Sequence, residues 1–196
     1  MSNKVFQCLK FFIGGLISGI SISNSYLLPL IFLGHFFLIK GLLSRCILMY
    51  NFFPGWLFGF GFFLGSMHWI ANPFLVYDEH VPFAPLVLFI FPLLMGLFFA
   101  LPSMLITTIF NSEKIKDNFL TLTFFISFFL FLFEIIRSKI FGGLPLNLYA
   151  HIWSFDEKFI QIARLTGVYG LSFLTIFWVI ITTLLFIKKK NSFLIT

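Results

Sequence analysis

Residues 119–137 read FLTLTFFISFFLFLFEIIR, and this stretch decides the fold. No charged side chain interrupts it before Glu134. The apolar residues run on continuously, without the strict alternation of a half-buried strand. As a helix, residues 119–136 would reach about 27 Å, close to the hydrocarbon thickness of a bilayer. The run therefore predicts a transmembrane helix. It argues against a β-barrel, whose strands alternate over roughly ten residues.

Five further apolar runs flank it, at residues 9–23, 26–43, 54–76, 85–110 and 168–187. The expected fold is an all-α polytopic membrane protein with about six transmembrane helices. Composition supports this: 60% of the 196 residues are hydrophobic and 10% are charged. A water-soluble domain carries roughly a quarter charged residues, and a soluble fold of this size cannot hide so much apolar surface. Ser23, Asn24 and Ser25 form a plausible tight turn between the first two runs. The first run follows Lys4 and Lys10 and reads as a start anchor, because no small-residue cleavage site stands out after it. Segment 137–167 is too polar and broken to span, and reads as an extended external loop with interfacial pieces.

Charge bias sets the orientation. With six spans and a cytoplasmic N-terminus, the inner side holds Lys4, Lys10, Lys40, Arg45, Lys114, Lys116, Lys188, Lys189 and Lys190. The outer side holds only Arg137, Lys139, Lys158 and Arg164. Joining the first two runs into one helix would move Lys4 and Lys10 outside and erase the bias. The net charge of +6 is thus accounted for by topology, and no nucleic-acid partner is expected. Loops 77–84 and 137–167 are expected in the periplasm, which makes the chain a multi-pass protein of the bacterial inner membrane.

Glu134 and Arg137 lie three residues apart and share one helix face. Ionisable groups near a membrane span default to a functional reading. Two readings stand: a structural clamp that orients the external loop, or contact of Arg137 with a phospholipid headgroup, since guanidinium suits phosphate. Pro145 and Asn147, in the loop that follows, are candidates for the same role. Gly55, Gly59, Gly61 and Gly65 provide two small-xxx-small spacings, which read as helix-packing faces or as a flat groove for an acyl tail. Asp78, Glu79 and His80 read as a solvated loop, and His35, His68 and His151 as isolated histidines. Tyr149, Trp153 and Trp69 fit an aromatic belt at the bilayer boundary. Cys8 and Cys46 are near cytoplasmic edges, where no disulfide is expected. No nucleophile constellation, metal motif or cofactor loop is present in the sequence, so no catalytic residue, metal or cofactor is assigned.

Several blocks carry a family resemblance. Residues 58–70, FGFGFFLGSMHWI, resemble the third span of apolipoprotein N-acyltransferases, with His68 where Tyr is commoner. Glu134 to Arg137 resembles that family's E-W-L-R, with Ile135 in place of Trp. Residues 143–147, GLPLN, resemble its G-F-P-W-N, with Leu144 and Leu146 in place of Phe and Trp. Residues 161–174, QIARLTGVYGLSFL, match most closely. The resemblance implies a membrane domain coupled to a periplasmic nitrilase-like domain with a Glu-Lys-Cys triad. There the cysteine takes an acyl chain from phospholipid as a thioester and passes it to the N-terminal amine of a diacylglyceryl lipoprotein, which is covalent catalysis by an activated thiol. No triad residue is assignable between residues 1 and 196. The expectation is an N-terminal membrane part that anchors the enzyme and gives lipid access, inactive alone, with a separate nitrilase-like polypeptide as one conceivable partner. The rival expectation is a non-enzymatic scaffold or lipid-binding partner. A small transporter fits less well, because paired interrupted helices are lacking.

Overall fold

Continuous apolar sequence leaves the backbone no partner but itself in lipid, and helices follow. The computed structural model describes residues 2–43, 51–109, 118–140 and 146–193, and every regular element among them is helical. The main helices are α1 (Ser2–Ser23), α2 (Leu30–Leu43), α3 (Phe52–Ser66), α4 (Ala84–Met95), α5 (Leu97–Ile109) and α6 (Phe119–Ile140). A short α7 (Glu157–Ile160) precedes the long α8 (Ala163–Phe193). Among the described residues, three stretches, Asp78–Ile109, Phe119–Ile140 and Ala163–Lys188, are long and apolar enough to cross a membrane by length and composition. Cys8–Ser23, Leu30–Leu43 and Phe52–Ser66 are apolar but shorter.

The helix ends have local causes. Asn24 accepts from the Tyr26 N–H and starts a single 3-10 turn, Ser25–Leu27, which reverses the chain where the turn was expected. Asn118 caps α6 by accepting from Leu120 and Thr121. Within the helices, Ser21, Ser66, Thr123, Ser127, Thr175 and Thr183 return their hydroxyls to the carbonyl four residues back. Polar groups are thereby satisfied without leaving the helix.

Several boundaries differ from the sequence expectation, and one agrees with it. The run 54–76 is not one helix: α3 ends at Ser66, and His68–Leu75 continues as a 3-10 helix containing Pro73. Proline lacks an N–H and disfavours the α conformation in the residue before it. The run 85–110 is divided into α4 and α5 around Gly96, four residues after Pro92. Helix α6 extends to Ile140, so Arg137 and Lys139 belong to the helix and not to the loop. In α8, Gly167 takes φ 72° and ψ 168°, so the unbroken helical stretch begins after it, where the run at 168 was expected to begin.

The helices pack in a closed order, α1–α3–α5–α6–α8–α2 and back to α1. Their directions alternate along the chain. In α1 and α3, which run parallel, Gly15 meets Phe58 while Gly19 meets Phe62. Gly55 faces Ser103 and Gly59 faces Gly96, so α3 and the α4–α5 pair run antiparallel. The four α3 glycines are thus divided between two interfaces: Gly61 and Gly65 against α1, Gly55 and Gly59 against α4–α5. A Cβ at Gly15, Gly19 or Gly61 would collide with a carbonyl oxygen of the facing helix. Backbone-to-backbone approach of this kind is what small-xxx-small spacing permits.

Candidate functional site

Where α3 and α6 end, the segment after α6 folds back between the helices. Leu148 and Ile152 are fully buried, and the 3-10 helix Tyr149–Trp153 packs against α1 and α8. Buried backbone needs partners for its N–H and C=O groups. Glu134 and Arg137 supply them.

Both side chains are 5% exposed. One Glu134 carboxylate oxygen accepts the Tyr149 backbone N–H at 2.8 Å, and the other accepts the Ser172 hydroxyl at 2.7 Å. Ser172 Oγ in turn accepts the Ala150 N–H at 3.2 Å. Arg137 donates through Nη1 to the Leu146 carbonyl at 2.6 Å and through Nη2 to the Asn147 carbonyl at 3.2 Å. Its guanidinium carbon lies 5.3 Å from the centre of the Phe63 ring, a cation–π position. Opposite charges three residues apart therefore grip successive pieces of one segment, the cation holding carbonyls and the anion holding donors.

Asn147 makes this geometry accessible. Its φ is 56°, a left-handed value that asparagine tolerates better than most residues. Its Nδ2 donates to Ser66 Oγ at 2.6 Å, tying the segment to the end of α3. Trp153 Nε1 donates to Thr175 Oγ1 at 2.8 Å and fastens the other end to α8, while Ser138 Oγ of α6 lies 2.9 Å from the Tyr169 hydroxyl of α8. A small cavity of about 20 Å³ remains between Phe99, Leu130, Glu134, Arg137, Asn147 and Tyr149. That is room for about one water molecule.

Tyr149 is at the centre of this arrangement and corrects the aromatic-belt expectation. It is 5% exposed, stacks on Phe62 with ring centres 5.6 Å apart, and does not face lipid. Burial, and then the Glu134 charge, hold its hydroxyl well above the usual tyrosine range, so it remains a neutral O–H. The hydroxyl is 2.8 Å from His35 Nε2. Trp153 is half-buried, whereas Trp69 is 44% exposed.

Of the residues singled out by sequence, Glu134, Arg137 and Asn147 come together here. Pro145 and Cys46 lie outside the described residues, and Cys8 is a free, half-buried thiol. Asp78, Glu79 and His80 form an exposed 3-10 helix, Asp78–Phe83. Sequence reasoning passed over His35, Ser66, Tyr149 and Ser172 as site residues. Ser66 and Ser172 lay in quoted motifs; His35 and Tyr149 are common residue types whose partners are 15 to 114 positions away. A separate open groove of about 710 Å³ runs between α1 and the end of α3, lined by Leu16, Ile20, Leu64 and Gly65, with His68 and Trp69 at one end.

Comparison with known proteins gives these residues a context. Residues 14–181 match the family described as the apolipoprotein N-acyltransferase N-terminal domain. The apolipoprotein N-acyltransferase of Rickettsia prowazekii is 39% identical over 124 residues, covering 63% of this chain and 24% of that protein. The corresponding protein of Rickettsia typhi has the same identity and coverage. That of Rhizobium meliloti is 34% identical over 94 residues, which are 47% of this chain and 17% of that protein. The chain thus spans about a quarter of the length of the Rickettsia relatives it matches. No solved structure matches it. A match over residues 14–181 takes in the α3 glycines, the Glu134–Arg137 pair and Ser172, and the chain belongs to the apolipoprotein N-acyltransferase N-terminal domain family.

Proposed function

We propose that this chain is the membrane part of an apolipoprotein N-acyltransferase. It would cross the bacterial inner membrane six times with its N-terminus in the cytoplasm. Alternating helix directions support six crossings, and the excess of basic residues at the inner ends supports the orientation. The three shorter apolar helices would cross a locally thinned bilayer or be shielded by their neighbours. In this reading the clamped segment 146–153 faces the periplasm. There it forms a fixed seat for a nitrilase-like catalytic domain of the kind the family resemblance implies.

The observation that carries the proposal is the commitment of two buried charges to one segment of external loop, in a chain of this family. Glu134, Arg137 and Asn147 act as the clamp, and Gly55, Gly59, Gly61 and Gly65 hold the helices that support it. Substrates in this reading are a phospholipid acyl donor and a diacylglyceryl lipoprotein. The open groove beside Gly65 supports lipid access, being apolar along α1 and α3 and more polar at the His68 end.

The test is complementation. The chain is co-expressed with the remaining three-quarters of a relative, in cells depleted of their own N-acyltransferase. Restored N-acylation of lipoproteins, with no restoration by either part alone, is the expected result. Failure of the pair to restore it when both parts are present in the membrane would leave the chain as a scaffold without an acyltransferase role. A thioester formed on Cys8 by the pure chain and labelled phospholipid would overturn the assignment of chemistry to another domain.

A further inference from the structure

His35 is a fully buried histidine in the middle of an apolar helix, and the clamp does not use it. Its ring sits edge-on to Phe58, with centres 5.3 Å apart. Nδ1 lies 2.9 Å from the Ile31 carbonyl and 3.1 Å from Ser18 Oγ. Nε2 lies 2.8 Å from the Tyr149 hydroxyl. These contacts determine the tautomer. A carbonyl oxygen can only accept, so Nδ1 carries the proton and points it at Ile31, with Ser18 Oγ as a second acceptor nearby. The opposite tautomer would set a ring lone pair against the Ile31 carbonyl. Nε2 is then a lone pair, and Tyr149 must donate its O–H to it.

We propose that His35 is a positioning residue: its Nδ1–H tautomer, set by Ile31, accepts the Tyr149 hydroxyl and so latches the clamped segment to the α1–α2 pair. Among the described residues, the segment's other side-chain hydrogen bonds join it to α3, α6 and α8. With the latch, one residue, Tyr149, is held at both ends. Its N–H is on Glu134 of α6 and its O–H is on His35 of α2. Helix α1 enters through Ser18. The latch thus adds, within the closed ring of helices, a polar contact to Tyr149 that neither the charged pair nor the glycines provide. In the proposed enzyme, the seat for the catalytic domain would be set from the second helix as well as from the fifth main run. That consequence rests on the function proposed above; the contact itself does not.

The experiment uses the full 196-residue chain in lipid nanodiscs. Nitrogen-15 NMR of labelled histidine should show His35 protonated at Nδ1 and unprotonated at Nε2. Hydrogen exchange then reads the latch. Tyr149→Phe keeps the ring and removes the donor, and His35→Leu removes the acceptor. Each should raise exchange at amides 149–152 about five- to ten-fold, the effect of one modest buried hydrogen bond. Combining them should add nothing further. His35→Gln, whose amide oxygen can accept the tyrosine proton, should restore part of the protection. A proton on Nε2 would overturn the proposal. So would unchanged exchange in Tyr149→Phe, or a combined effect equal to the product of the two. Failed complementation with this latch intact would reject the acyltransferase reading and leave the latch standing.

Discussion

At the scale of single residues, the clamp is directional. Glu134→Ala removes the acceptor for the Tyr149 N–H and the Ser172 O–H and leaves the nearby Arg137 charge uncompensated. Loss of one member of a buried charged pair typically destabilises by about 3 kcal/mol or more, because of the polar groups left behind. Thermal unfolding in detergent should show a loss of this order, with early proteolytic cutting of segment 146–153. Arg137→Lys keeps the charge but replaces a two-pronged donor by a point charge. It should weaken the hold on the Leu146 and Asn147 carbonyls by about 1–2 kcal/mol, measured the same way, and leave helix content unchanged. If both variants unfolded like the unmodified chain, the clamp would have no energetic role. Glu134 and Arg137 were conspicuous in the sequence because charges are rare in such runs. Tyr149 and His35 were not, since nothing local marks a tyrosine or histidine as facing inward.

At the scale of elements, glycine has two separate uses. Gly61 lies against the α1 backbone, with the Phe12 carbonyl where a Cβ would be. Gly61→Leu should force α1 and α3 apart and destabilise by about 2 kcal/mol or more, as overpacking does. Reduced disulfide trapping between engineered cysteines on those helices would report the separation. Gly167 is the opposite case: open space surrounds it, but its φ of 72° disfavours any side chain. Gly167→Ala should cost about 1–3 kcal/mol through strain alone, with helix trapping unchanged. Equal trapping losses in both variants would contradict this division. The α3 spacings were visible in the sequence as packing faces. Which helix each pair would meet was not, because Gly55 and Gly61 differ only in which side of α3 they occupy.

At the scale of the whole molecule, the proposed topology makes a labelling prediction. In a Cys8→Ser, Cys46→Ser background, Ser154→Cys should react with a membrane-impermeant thiol reagent in intact spheroplasts, and Ser192→Cys should not. The reverse pattern would invert the orientation. By itself the sequence determined that the chain is helical and apolar, and which family it belongs to. Those properties follow from near-neighbour chemistry: the length of the apolar runs and the order of the motifs. Only the tertiary structure decided that the Glu134 carboxylate meets Tyr149 and Ser172, that Tyr149 reaches His35, and that Leu148, Tyr149, Ala150 and Ile152 are buried among the helices. The physical reason is satisfaction of polar groups. A loop can leave water only where distant side chains happen to complete its hydrogen bonds, and such partners are brought together by helix packing rather than by sequence proximity.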